Sequence, residues 1–273
     1  MKVSIAVPSL NYARFLPACL DSCAAQTHRN IEVLIADGGS SDGSIEIIER
    51  YCAQDARFRF VSRTDNGQAD AINRALQQAT GDIACFLNAD DLYIRNDVIA
   101  KVVSIFQADT DLGVLSMGGK YVDASGNIIG PVRLRYHPLD SLRWMQRRTA
   151  VLQPATFWKA SISKEHPFCA SFHFVFDVEF FWYAYQRYRW REVPLTAAGY
   201  RLHETNKSRS VREDRIRELA NFERIKYGEQ SLRARYLECI ANAVAHTGQI
   251  GRRAIYIFVN SLSFLLCYRL PSI

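Results

Sequence analysis

Ile83-Ala84-Cys85-Phe86-Leu87-Asn88-Ala89-Asp90-Asp91 runs from an apolar tract straight into adjacent carboxylates. A short apolar run that stops at a turn signal reads as a strand buried on both faces. In an open α/β sheet the ligand crevice lies outside the carboxyl ends of the strands. Hard divalent cations take carboxylate oxygens and bridge readily to phosphates. An acidic pair at such a tip therefore suits a metal and a diphosphate, although alone it also suits the plain start of a loop. Its neighbours decide between the two.

Working outward, the first half of the chain alternates apolar tracts with helical patterns. Strands are predicted at 3–7, 31–36, 58–61, 83–87 and 114–117. Helices are predicted at 15–26, about 44–52, about 69–79 and about 98–107. Such alternation implies right-handed βαβ units on a mostly parallel sheet. Past about residue 119 the rhythm changes. A hairpin turning at Ser125-Gly126-Asn127 is expected over 121–129. A basic helix near 139–148, a Gln153-Pro154-Ala155-Thr156-Phe157-Trp158 segment and an aromatic helix at about 178–188 follow. Residues 211–246 are charged and periodic, which predicts two exposed helices.

The 273 residues are 48% hydrophobic and 23% charged, which suits a globular chain with a sizeable core. Seven cysteines show no CxxC pair and no zinc-type spacing, so they read as small core residues in a reducing compartment. The chain opens directly on the strand-like Lys2 to Val7, with no expected signal peptide. The net charge of +6 resides in residues 200–273, where 13 Lys/Arg face 7 Asp/Glu. That asymmetry points to an anionic partner, a membrane surface or an acidic substrate. No nucleic-acid motif accompanies it, so nucleic acid is not expected as a partner.

Four further clusters fall at predicted strand ends or in loops. Val7-Pro8-Ser9-Leu10-Asn11-Tyr12 occupies the first turn, where a nicotinamide-binding domain would need GxGxxG. Asp37, ahead of Gly38-Gly39, leaves the second strand where a carboxylate could accept hydrogen bonds from a base or ribose. Thr64-Asp65-Asn66-Gly67-Gln68-Ala69-Asp70 precedes a helix on which Asp70 and Asn73 share a face. Asp177 and Glu179 stand among aromatics at a helix start, where Asp177 could cap the helix or serve as a general base.

These features, in this order over about residues 1–208, resemble the family 2 glycosyltransferases of the GT-A fold, inverting enzymes that use nucleotide-diphosphate sugars. The resemblance implies a Rossmann-like α/β sheet flanked by helices, with a nucleotide-binding half (1–119) and an acceptor-binding half (120–208). Residues 209–273 would form a helical, basic extension. Asn88-Ala89-Asp90 resembles the family's DxD motif, with Asn88 in place of the first acid. By similarity Asp90, with Asp91 and His203, would hold Mn²⁺ or Mg²⁺. Pro8, Ser9, Asn11 and Asp37 would hold the nucleoside, here expected to be uridine. Asp65, Asn66, Gly67, Asn73, Asn88 and Ala89 would line the nucleotide-sugar pocket. Tyr200 to Ser208 resembles the late RxHxxxxS segment, so Arg201 and Lys207 would meet the diphosphate. Asp177 would be the catalytic base, with Glu179 its rival, and Gln153 to Trp158 resembles the acceptor-side segment.

The acceptor implied is a glycan or a lipid-linked oligosaccharide of a surface polysaccharide, handled in the cytoplasm at the inner face of the membrane. Residues 254–268 are apolar with basic flanks, too short to span a bilayer core and suited to lying in its interface or packing on the body. A nucleotidyltransferase would share the sheet but should carry a Gly-rich basic loop after its first strand, where this chain has Pro8-Ser9-Leu10-Asn11. A non-catalytic nucleotide-sugar-binding or glycan-binding relative remains the other alternative.

Overall fold

The apolar tracts of the first half become strands β1 (Val3–Ser9), β2 (Ile31–Asp37), β3 (Phe58–Ser62) and β4 (Ile83–Phe86). The computed structural model describes residues 1–132, 151–206, 213–229 and 232–245. Between the strands lie helices α1 (Leu16–Ala24), α2 (Ser44–Gln54) and α3 (Gln68–Gln77). β5 (Leu92–Tyr93), α4 (Val98–Ala108), β6 (Leu112–Val122) and β7 (Ile128–Pro131) follow. A 3₁₀ turn at Gln153–Ala155 leads into β8 (Thr156–Lys159), α5 (Ala160–Glu165), α6 (Phe176–Arg187) and β9 (Arg189–Arg201).

One sheet carries these strands in the order β3-β2-β1-β4-β8-β6-β9-β5, with β7 paired to β6. β1 to β4 pair in parallel, as the sequence rhythm requires. The second half adds antiparallel pairs at β4/β8, β6/β8 and β5/β9, which the sequence reading did not mark. β1 and β2 are covered on both faces and buried at every position, while the edge strand β3 is mostly exposed. α3 packs through Ala71, Ile72, Ala75 and Leu76, and α4 through Val98, Ile99, Val102, Val103 and Phe106. Burial of each large aliphatic side chain contributes roughly 1.5–3 kcal/mol.

Register places the functional tips. Ser9 pairs with Asp37, and Ala6 with Phe86, so the ends of β1, β2 and β4 emerge on one edge. Leu92 pairs with Gly199, which brings the end of β9 beside the acidic tip of β4. The expected hairpin forms: the Asp123 amide donates to Asn127 O, and Gly126 turns with φ 92°.

Two compact units divide the described residues. The first holds residues 1–132, 151–171 and 176–203. The second takes 172–175, 204–206, α7 (Glu213–Tyr227) and α8 (Leu232–Ala245), the two helices expected of this region. Within it Glu218 accepts from the amides of His173, Phe174 and Val175 at 2.7, 2.7 and 3.2 Å. The helix expected near 139–148, Lys207, and the apolar tract 254–268 lie outside the described residues. No helix among those described is long and apolar enough to cross a membrane.

Candidate active site

The turn after β1 and the loop after β2 are stitched together. Ser9, the last residue of β1, is buried, and its hydroxyl has no hydrogen-bond partner among the described residues. Asn11 adopts φ 58°, a left-handed conformation that asparagine tolerates better than most residues. Its Oδ1 accepts from the Ser41 amide at 2.9 Å, while its own amide donates to Ser40 Oγ at 2.8 Å. Pro8 is buried and Leu10 is exposed.

Asp37 was expected as an open acceptor for base or ribose, and its surroundings give it another task. It is fully buried, and Oδ1 accepts from the amides of Gly39 and Ser40 and from Ser62 Oγ, all at 2.9 Å. Ser40 Oγ donates to Oδ2 at 2.6 Å. The carboxylate is thus used in shaping the Gly38-Gly39 turn. A Cβ at Gly38 would lie 2.7 Å from Asp65 Oδ2, so only glycine lets Asp65 approach the β2 tip this closely.

Asp65 is held from the other side by Arg74, buried at 5% exposure, whose Nη2 lies 3.2 Å from Oδ2. Its Oδ1 accepts from the Gly67 amide at 2.9 Å, and Gly67 takes φ 110° at the start of α3. Asn66 is exposed. Asn73, expected to line the pocket, instead spends both ends of its amide on the backbone of Phe168: Nδ2 donates to its carbonyl (2.7 Å) and Oδ1 accepts from its amide (2.9 Å).

The acidic tip divides its work. Asp90 Oδ2 meets His203 Nε2 at 2.9 Å, and both residues are buried. Phe15 lies 4.5 Å from the His203 ring and Tyr12 presents an edge at 6.4 Å. Burial and the Asp90 and Asp91 carboxylates push the Tyr12 phenol well above its usual range. Asp91 faces inward: Oδ1 accepts from the Arg201 amide (2.9 Å) and Oδ2 from Asn88 Nδ2 (3.3 Å). Burial, reinforced by the Asp90 charge, raises its carboxyl well above the ordinary carboxylate range. Arg201, expected at the diphosphate, is 2% exposed and donates to the carbonyls of Asp90, Asp123 and Ala124 while lying over Phe15. These contacts make Asp91 and Arg201 the brace that holds Asp90 and His203.

A carboxylate and an imidazole that converge at one point suit Mn²⁺ or a similar cation. Among the described residues no group of three or more His, Cys, Asp or Glu side chains converges as a cation site. Asp90 and His203 supply one carboxylate and one imidazole, donor types that such a cation accepts, and a cation there would take its remaining ligands from phosphate oxygens and water.

α6 begins beside this tip, because the Phe176 ring lies 6.1 Å from Phe86 within a cluster that includes Phe168 and Trp158. Asp177 in its first turn is partly exposed and accepts from the Val178 amide. Glu179 is buried, with Oε1 2.8 Å from His166 Nε2 and Oε2 without a hydrogen-bond partner among the described residues. His166 in turn stacks on Tyr183 at 3.8 Å. Tyr12, Phe15 and Gln68 belong to this edge and were not singled out as contributors from sequence. The unbroken Asn66-Gly67-Gln68 run at a helix start was the available signal for Gln68.

A curled α/β sheet flanked by helices, with the ends of β1, β2 and β4, an acidic tip and a histidine gathered on one edge, has the GT-A class of fold. Residues 4–182 match the model of the family described as glycosyl transferase family 2, and the chain belongs to that family. It is 41% identical over 102 residues to a PGL/p-HBAD biosynthesis glycosyltransferase of Mycobacterium bovis, covering 37% of this chain and 40% of that one. With the chondroitin synthase of Escherichia coli it shares 30% over 127 residues, 46% of this chain and 18% of the relative. The chain thus spans well under half the length of these relatives. Among solved structures, S. aureus TarS 1–349 in complex with UDP-GlcNAc superposes with TM-score 0.65 at 19% identity, over 89% of this chain and 71% of that one. The mannosyltransferase PcManGT of Pyrobaculum calidifontis, in complex with GDP-Man and Mn²⁺, gives 0.63 at 18%, over 96% and 80%.

Proposed function

We propose that the chain is an inverting glycosyltransferase that moves a sugar from a nucleotide-diphosphate sugar, a UDP-sugar in the first instance, to an acceptor hydroxyl. The observation that carries this reading is the buried Asp90–His203 pair on the edge where β1, β2 and β4 end. The loops after β1, β2 and β3, with Ser9, Asn11 and Asp65, would receive the nucleoside. Asp90 and His203 would hold Mn²⁺ or Mg²⁺ against the diphosphate. When bound, the cation supplies Lewis-acid stabilisation of the leaving oxygens.

Asp177 takes the proton from the acceptor hydroxyl while that oxygen attacks the anomeric carbon opposite the leaving group. The new carbon–oxygen bond forms as the bond to the donor phosphate breaks, the configuration inverts, and a nucleoside diphosphate departs. Glu179 is a poorer candidate because it is buried against His166. For the acceptor we infer a glycan or lipid-linked oligosaccharide, supported by the surplus of basic residues in 200–273 and by relatives named as a PGL/p-HBAD biosynthesis glycosyltransferase and a chondroitin synthase. An anionic membrane surface at the cytoplasmic face is the matching location.

The test is transfer by purified protein with a panel of nucleotide sugars. Asp90→Ala and Asp177→Asn should each reduce turnover at least about a hundredfold with circular dichroism unchanged, the scale expected of a lost general base or metal site. Near-normal turnover by both variants contradicts the assignment.

A further inference from the structure

Three side-chain amides form a chain across the active edge, and its polarity is set at one end. The Phe86 carbonyl can only accept, and Gln153 Nε2 donates to it at 2.6 Å. Gln153 Oε1 is thereby turned to receive Asn88 Nδ2 at 3.1 Å. Asn88 Oδ1 is left to accept from Gln68 Nε2 at 2.7 Å. Gln68 Oε1, the last atom of the chain, meets no partner among the described residues and sits on a partly buried side chain. An amide has two donors and one acceptor group, so fixing one end of such a chain fixes every member.

We propose that this relay makes Gln68 a donor-specificity residue, presenting Oε1 as a fixed acceptor to a hydroxyl of the nucleotide sugar, with Gln153 its positioning residue. The inference rests on the function proposed above and deepens it. Gln68 opens α3 directly after Asp65-Asn66-Gly67, and its partner Asn88 stands two residues before Asp90. Its free oxygen therefore belongs to the stretch between the nucleotide loop and the acidic tip. An acceptor whose orientation is settled in advance reads hydroxyls without an ordering cost, and it discriminates against a ligand that lacks the hydroxyl. The relay also accounts for asparagine in the place of an acid at position 88. Asn88 must donate to Gln153 Oε1 and to Asp91 Oδ2 while accepting from Gln68, which a carboxylate cannot do.

The hydroxyl can belong to the ribose or to the transferred sugar, and calorimetry separates them. Binding is measured with Mn²⁺ for UDP and GDP, their 2′,3′-dideoxy forms, UDP-GlcNAc and GDP-mannose, on wild type and Gln68→Met. A loss of about tenfold on Gln68→Met is expected, the scale of one hydrogen bond. If it is seen with the ribose nucleotide and vanishes with the dideoxy form, the ribose is read. If it is seen only with the sugar nucleotide, the sugar is read. Equal affinities of wild type and Gln68→Met for every compound that binds overturn the proposal and leave the glycosyltransferase reading intact. Wild-type protein that binds none of them overturns both. Gln153→Met should reproduce the loss, and the double variant should be no weaker than the weaker single one, because the two residues touch only through Asn88. Additive losses overturn the relay. The Gln68→Met arm stands alone if Gln153→Met does not fold.

Discussion

Asp177 and Glu179 stand two residues apart on α6 and meet different surroundings. Asp177 is partly exposed, the accessibility that the proposed general base requires, whereas Glu179 is closed against His166. Asp177→Asn should therefore abolish turnover, while Glu179→Gln should keep it within a few-fold and act mainly on the thermal midpoint. A reversal of these two outcomes in a rate and melting assay exchanges their roles. Asn73 offers a second separation. Because both ends of its amide are bonded to Phe168, Asn73→Ala should cost about 1–3 kcal/mol in chemical unfolding and leave donor affinity unchanged. The sequence exposed these positions but not their tasks. Asn73 lies 95 residues from Phe168, and Asp91 lies 110 from Arg201, so no local pattern could show that their polar atoms were already spent.

At the scale of elements, the alternating first half was legible because its strands are short, mostly apolar tracts with helical patterns between them. β9 was not. Its Glu192 and Pro194 argue against a strand inside a sheet, since proline cannot donate to the ladder. The structure accommodates them by a register shift: Met117 pairs with Val193 and Gly118 with Thr196, so Pro194 and Leu195 are left out of step. That same pairing requires close backbone approach at Gly119. A Cβ there would lie 2.4 Å from both Ala198 O and Leu152 Cδ2. Gly119→Ala should cost roughly 1–3 kcal/mol in urea unfolding. Wild-type stability in that variant would contradict the tight β6/β9 pairing that carries Arg201 and His203 to the site.

At the scale of the whole molecule, the sheet separates chemistry at one edge from an ionic anchor at the other. Glu32 is buried there against Lys2, Arg59, Ser4 and Thr80. Burial alone would raise its carboxyl, but the hydrogen bonds from Lys2, Ser4 and the Thr80 amide outweigh it and lower it to about 2. A carboxyl lowered on folding stabilises the protein above its unfolded pKa, near 4.5, and that contribution is lost as pH falls toward 2. Unfolding free energy should therefore decline across that window, and Glu32→Gln should flatten the decline. An identical pH profile in wild type and variant contradicts it. The charge surplus of residues 200–273 acts at the same scale. Binding to anionic vesicles should be salt-sensitive and lost on truncation after Gly248, and no binding at low salt would point to an acceptor away from membranes.

The most direct measurement is thermal unfolding of wild type and Asp90→Ala with UDP-, GDP- and dTDP-sugars, each with Mn²⁺ and with EDTA. A ligand that binds only the folded state raises the midpoint. A rise is expected with one donor, present with Mn²⁺, absent with EDTA and absent in Asp90→Ala. No rise with any donor, or the same rise in EDTA and in the variant, would contradict a nucleotide-sugar site built on Asp90 and His203.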